Sequence, residues 1–429
     1  YPLLFKNARV ITCDADHRVL DVDVAVSGDR IVALEAGLSG EEEVDLAGKW
    51  LFPGFVQTHV HLVQTLFRDL ADDLQLMDWL RQRIWPFERA HDVESTYASA
   101  RLGISELLCS GTTAILDMAS VGHTDAIFQA ASEAGIRLWC GKAQMDRPNE
   151  AGLSESLDAS MKSACDLADR WHKKGRLHYA FAPRFVPSCT DDLLRAAATE
   201  ARRRGCLIHT HASENLGEVE LVRQLTGADN IVHLARLGLV GPDVGLAHCI
   251  HLTAEEEGIL ADSQTRLLHC PSSNLKLASG VARIPELLDR GIHVSVGADG
   301  APCNNRLDAF AELRLAALLP KPRLGAEALP APVVLKLGTV RGAEALGFPG
   351  GEIAVGKLAD LVVLDPGRLW TGGDPRSALV YTMDARCVEQ TWIGGQKVAE
   401  NGHVLGWDSR ETVTLCQSGL KRVRQRAGC

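Results

Sequence analysis

Two histidines one residue apart, His59 and His61, follow the apolar run 55–58. In an extended chain residues i and i+2 share a face, so both imidazoles point the same way. Two same-face histidines at a strand end are half of a metal site. Further on, His211, His248 and His269 each close a short apolar run, at 207–211, 245–248 and 266–269, and Asp299 follows the run 294–298. Three imidazoles and one carboxylate suit a single divalent ion, Zn²⁺ or alternatively Fe²⁺, and leave a position for water. We assign His59, His61, His211 and Asp299 as its ligands. His209 lies two residues deeper than His211 and reads as a hydrogen-bonded core residue, whereas Glu214 puts a carboxylate just past the same strand. His17, His91, His123, His172 and His403 have no such setting and read as surface residues; His251, in the loop after His248, stays unassigned.

Residues this far apart need a scaffold that gathers strand ends on one rim. Eight apolar runs, at 55–58, 113–117, 137–141, 178–182, 207–211, 245–248, 266–269 and 294–298, alternate with amphipathic stretches such as 191–203, 254–261 and 284–290. Eight strands, each followed by helix, predict an α/β fold of the TIM-type (β/α)8 kind, whose functional residues sit at the C-terminal mouth. Before and after it the chain reads as short strands, at 3–10, 22–27, 30–34 and 43–45, then at 361–364, 388–393 and 396–398. Each set is too small to fold alone, so the two are expected to pair into a small β-sandwich. The expected division is a composite sandwich of 1–52 and 358–429 around a (β/α)8 barrel of 53–357 that carries the metal site. The basic stretch 410–426 reads as a solvated C-terminal helix.

Composition narrows the function classes. The 429 residues are 46% hydrophobic and 23% charged, as in ordinary globular proteins, and the formal charge of -10 argues against a nucleic-acid partner. No apolar run approaches the ~18 residues of a membrane span. Twelve cysteines are scattered without a C-x-x-C pair, which suits buried thiols in a reducing compartment. With the start, Tyr1-Pro2-Leu3-Leu4, running straight into a strand pattern, a cytoplasmic location is expected. Neither phosphate-cradling glycine motif, G-x-x-x-x-G-K-[ST] nor G-x-G-x-x-G, is present.

The motifs together resemble a known family. Pro53-Gly54-Phe55-Val56-x-x-His59-x-His61, His211-x-x-Glu214, Ala247-His248-Cys249, His269-Cys270-Pro271-Ser272-Ser273-Asn274, Gly297-Ala298-Asp299-Gly300 and the tail Gly356–Val363 are similar to the amidohydrolase superfamily, in its cytosine/guanine deaminase and chlorohydrolase branch. The resemblance implies one metal, since the run 178–182 lacks the lysine that bridges two ions in other members. It also implies a hydrolytic deaminase in which Asp299 takes a proton from the attacking water, His248 stabilises the attacking oxygen and Glu214 protonates the ring nitrogen. Homo-oligomers are common in the family and one is expected here.

For the substrate the resemblance points two ways. Residues 65–74, Trp79-Leu80, 84–88 and 299–308 look like adenine-nucleoside deaminases acting on 5′-deoxyadenosine, 5′-methylthioadenosine, S-adenosylhomocysteine or adenosine, where a glutamate at the place of Glu88 holds the ribose hydroxyls. Gln64 and Arg184 look instead like the residues that hold the purine edge in guanine deaminases. Trp85, His269 and Asn304 complete the expected substrate contacts. The alternatives are a guanine, oxopurine or pterin deaminase, an s-triazine hydrolase, and a non-catalytic assembly protein on the same fold.

Overall fold

The computed structural model describes residues 1–428. The N-terminal strands are β1 (Leu3–Ile11), β2 (Val19–Ser27), β3 (Arg30–Glu35), β4 (Glu42–Asp45) and β5 (Trp50–Pro53). Eight parallel strands follow: β6 (Phe55–His61), β7 (Thr112–Met118), β8 (Arg137–Gly141), β9 (Leu177–Pro183), β10 (Leu207–Ala212), β11 (Val244–His248), β12 (Arg266–His269) and β13 (His293–Val296). They are neighbours in chain order, and the ring closes where Asp299 and Gly300, just past β13, pair with Val60 and His61 of β6. Thr58 and Ser295 hydroxyls, 2.8 Å apart inside the barrel, tie the same seam. The expected barrel is therefore formed, and its strand ends share one mouth.

The C-terminal strands are β14 (Leu361–Leu364), β15 (Val388–Ile393), β16 (Gln396–Glu400) and β17 (His403–Val404). They join the N-terminal strands in one nine-stranded sheet through the antiparallel pair β5–β14, which the periodicity did not reveal because the run Trp50–Pro53 is only four residues long. Phe5 of β1 and Trp392 of β15 meet edge to face at 5.1 Å in a core of their own with Val24, Leu51, Leu361 and Val363.

Two expectations are corrected by packing. The helix Ser409–Ala427 is not free in solvent: Val423 is fully buried, and a Cβ at Gly419 would come within 3.2 Å of Leu66 and 3.3 Å of Ser95, so glycine permits the close approach. Arg422 and Arg426 reach Asp92, the N-cap of the barrel helix Val93–Cys109. This helix thus packs along the barrel helix Val93–Cys109, while its first residue, Ser409, still meets His403 of the small sheet at 3.2 Å. His91 is buried, with Ser95 Oγ at 2.8 Å and the Val63 carbonyl at 2.9 Å on its two ring nitrogens. Among the described residues all eleven cysteines are free thiols, and no helix is long and apolar enough to cross a membrane.

Candidate active site

The mouth of the barrel brings the four expected ligands together. His61 Nε2 lies 3.3 Å from His211 Nε2, and Asp299 Oδ1 lies 3.4 Å from both His59 Nε2 and His61 Nε2. Backs of the rings are tied down: His61 Nδ1–H donates to the Met118 carbonyl at 2.8 Å and His211 Nδ1–H to the Arg184 carbonyl at 2.7 Å. Each Nε2 lone pair is thereby freed towards the centre. His59 Nδ1 meets His209 Nε2 at 2.7 Å, so His209 is the inner support of a ligand. The buried His59 Nε2 has no hydrogen-bond partner. Burial, chiefly, pushes all four imidazoles down, His61 to about 4, which keeps them neutral as a metal ligand must be. Burial pushes the Asp299 carboxyl upward, but His59, His248 and His61 outweigh it and hold the group ionised. An N₃O set of converging donor atoms, with His59 Nε2 buried and unpartnered among them, fits a divalent metal ion.

The two proton-handling candidates stand beside it. His248 Nε2 is 3.4 Å from Glu214 Oε2 and 3.8 Å from Asp299 Oδ2. Burial pushes Glu214 up to about 7, while Glu214 and Asp299 raise His248 despite its burial. Asp299, His248 and Ser213, next to Glu214, all adopt positive φ (64°, 74° and 53°), a conformation that costs non-glycine residues energy and gathers at functional sites. The strand-to-loop turns are bent to aim these side chains inward.

Not all expected substrate residues face the cleft. Gln64, Arg184 and the unassigned Phe185 and Leu277 line it, with Trp79 and Leu80. Glu88 sits behind them. Its Oε1 accepts from Gln64 Nε2 at 2.9 Å and Arg184 Nη2 at 3.0 Å, and its Oε2 from Arg184 Nη1 at 2.7 Å and Ser120 Oγ at 3.0 Å. Its acceptor capacity is used internally, so a free carboxylate awaiting a ribose is not what the structure presents. Trp85 borders a neighbouring depression with Met77 and Arg81, on a helix preceded by a π turn at Leu80–Ile84. Asn304 Nδ2 is spent on the Ala298 carbonyl (2.7 Å) and Glu312 Oε1 (2.8 Å), and His269 is buried away from the lining. His251 Nε2–H donates to the Ser279 carbonyl at 2.6 Å and is structural. Sequence reasoning gives no role to Asn274, Ser279 or Glu312; Asn274 lies within the motif that begins at His269, but its partner His248 is 26 residues away.

Known proteins of similar sequence and fold include deaminases and related hydrolases. A 5′-deoxyadenosine deaminase of Methanothermobacter thermautotrophicus is 36% identical over 414 residues, 95% of this chain and 93% of its own. A 5-methylthioadenosine/S-adenosylhomocysteine deaminase of Moorella thermoacetica is 35% identical over 90% of this chain and 92% of its own. The crystal structure of a zinc-bound adenosine deaminase from Xanthomonas campestris superposes with a TM-score of 0.93 at 31% identity, covering 99% of both chains. The amidohydrolase family profile matches residues 50–398, the barrel with its flanking strands, and with these full-length relatives it makes the chain a member of the amidohydrolase family.

Proposed function

We propose that the protein is a zinc-dependent hydrolytic deaminase of adenine nucleosides, with 5′-deoxyadenosine, 5′-methylthioadenosine, S-adenosylhomocysteine and adenosine as candidate substrates. The observation that carries the chemistry is the placement of His248 Nε2 within 4 Å of both Glu214 and Asp299, against the cluster of ligand nitrogens. The substrate class rests on the deaminase relatives at 34–36% identity over nearly the whole chain. Zinc, the ion in the Xanthomonas campestris structure, fits the His59, His61, His211 and Asp299 donor set. When bound there it lowers the pKa of a water molecule towards ~7.

The chain's own groups then do the following work. Asp299 Oδ2 accepts the proton of the attacking water. His248 Nε2 hydrogen-bonds the oxygen as it adds to C6 of the adenine. Glu214, kept protonated near neutrality by burial, delivers its proton to N1, which makes C6 electrophilic. As the C6–N bond breaks, the proton held by Asp299 passes to the amino group, which leaves as ammonia, and the hydroxyl proton on C6 returns to Glu214, leaving the inosine analogue as product. Gln64 and Arg184 orient the ring.

A second reading is favoured by one observation: the carboxylate of Glu88 is engaged by Arg184, Gln64 and Ser120. Arg184 at the cleft suits an exocyclic oxygen, as in guanine, another oxopurine or a pterin. Ammonia release by the zinc-loaded protein from nucleosides, free bases and pterins separates the two.

A further inference from the structure

Residues 271–280, which follow β12, carry two side chains that touch the proton-handling pair from behind. Asn274 Oδ1 lies 2.8 Å from His248 Nδ1, and Ser279 Oγ donates to Glu214 Oε1 at 3.3 Å. The two are joined across the end of the short helix Pro271–Lys276, since Ser279 N–H donates to the Asn274 carbonyl at 2.9 Å and Gly280 N–H to the same carbonyl at 3.3 Å. His251, on the loop after β11, clamps the Ser279 carbonyl. That loop is anchored beside Glu214, because the Ile250 and His251 N–H groups donate to the Ser213 carbonyl. Gly280 has φ +134°, and a Cβ there would lie 3.1 Å from Ile250 and 3.3 Å from the His251 ring, so the crossing needs glycine. All four polar residues, Asn274, Ser279, His248 and Glu214, are buried.

We infer that Asn274 and Ser279 are positioning residues for the deamination: the short helix Pro271–Lys276 and the turn after it hold His248 with its proton on Nδ1 and aim Glu214 Oε2 at the reacting centre. The inference rests on the roles proposed above for His248 and Glu214. An imidazole presents either nitrogen as donor, and the bond on one decides what the other offers. With Nδ1–H held by the Asn274 carbonyl oxygen, Nε2 is the nitrogen that faces Glu214 and Asp299 and bonds the attacking oxygen, as an acceptor in the neutral ring and as a donor in the imidazolium that the two carboxylates favour. With Glu214 Oε1 engaged by Ser279, its other oxygen is the one turned to His248. Neither Asn274 nor Ser279 lines the cleft, so each acts through its neighbour and not on the substrate.

The test uses the full-length zinc-loaded protein, its Asn274→Leu, Asn274→Asp and Ser279→Ala variants, and 5′-deoxyadenosine. ¹⁵N spectra of histidine-labelled protein, with His248 identified by its loss in His248→Gln, read the Nδ1 proton directly. The parent is expected to show His248 protonated at Nδ1. Asn274→Leu is expected to lose 10–100-fold in kcat, with KM and bound zinc changed by less than about two-fold. Asn274→Asp keeps an acceptor for Nδ1–H and should restore kcat to within about ten-fold of the parent, whereas loss of one hydrogen bond in Ser279→Ala should cost roughly five-fold. An unprotonated Nδ1 in the parent overturns the inference, as does a folded Asn274→Leu protein with kcat within about two-fold of the parent. Should Asn274→Leu not fold, the parent spectrum and the Asp variant still decide. A parent inert on every nucleoside would sink the substrate reading, while the Nδ1 signal would still show which nitrogen of His248 carries the proton.

Discussion

The Glu88–Arg184 pair offers the sharpest quantitative test of how the substrate cleft is built. Both side chains are nearly inaccessible, at 0% and 4% exposure, and their two contacts form a bidentate fork. Replacing Glu88 with alanine leaves the Arg184 guanidinium buried without a counter-ion, a change that costs about 3–5 kcal/mol. For a chain of 429 residues the unfolding entropy is roughly 0.9 kcal/mol/K, so Tm should fall by about 3–6 °C. Replacing both residues by apolar ones, Glu88→Leu with Arg184→Met, should recover most of that loss, because neither charge is then stranded. The assays are thermal unfolding at neutral pH and kcat/KM on 5′-deoxyadenosine and guanine. Since Glu88 holds Arg184 and Gln64 in place, its loss should depress whichever substrates the enzyme accepts by similar factors. A Glu88→Ala protein with unchanged Tm and a deficit confined to nucleosides would refute the reasoning. Glu88 would then grip ribose, and the fork would not persist with substrate bound.

Three further outcomes follow from the same geometry. Glu214→Gln should fold and bind zinc normally but lose 10²–10⁴-fold in kcat; near-parental ammonia release would remove Glu214 from the reaction. His211→Ala should abolish the rise in Tm that added zinc gives the parent, and a persisting rise would mean that the ion binds elsewhere. Glu312 is buried, and burial pushes it up to about 7 from an ordinary 4.5. Between these pH values the folded state holds a proton that the unfolded chain has released, so this group makes stability fall as pH rises, by at most about 1.4 kcal/mol per unit. Glu312→Gln should flatten the stability curve between pH 4.5 and 7 relative to the parent. An identical slope in both proteins would show that Glu312 does not titrate there.

The cluster of histidines and Asp299 at the mouth is legible in the sequence because period-2 strands put His59 and His61 on one face, and because a barrel makes every strand end a neighbour of the others. The same logic locates Glu214 and His248. What escapes it is set by contacts between distant segments. Nothing near Glu88 announces that Arg184, 96 residues later, occupies its carboxylate. Asn304 has the polarity of a ligand-binding residue, but its amide is consumed by Glu312 and a backbone carbonyl. Trp85 is an aromatic beside cleft-lining neighbours in the sequence, but at nine, six and five residues after Leu76, Trp79 and Leu80 it falls on another side of the helix from them. The C-terminal helix reads as solvated because its docked side rests on Gly419 and Val423, with little apolar surface to signal it.

That this mouth hydrolyses the amino group of an adenine nucleoside is tested most directly by ammonia release from the zinc-loaded protein, offered adenosine, 5′-deoxyadenosine, 5′-methylthioadenosine, S-adenosylhomocysteine, adenine, guanine and a pterin side by side. Turnover of the nucleosides, with the free bases far slower, is the expected result. Hydrolysis of guanine or the pterin while every nucleoside stays untouched would contradict it, and would assign Arg184 and Gln64 to reading the base.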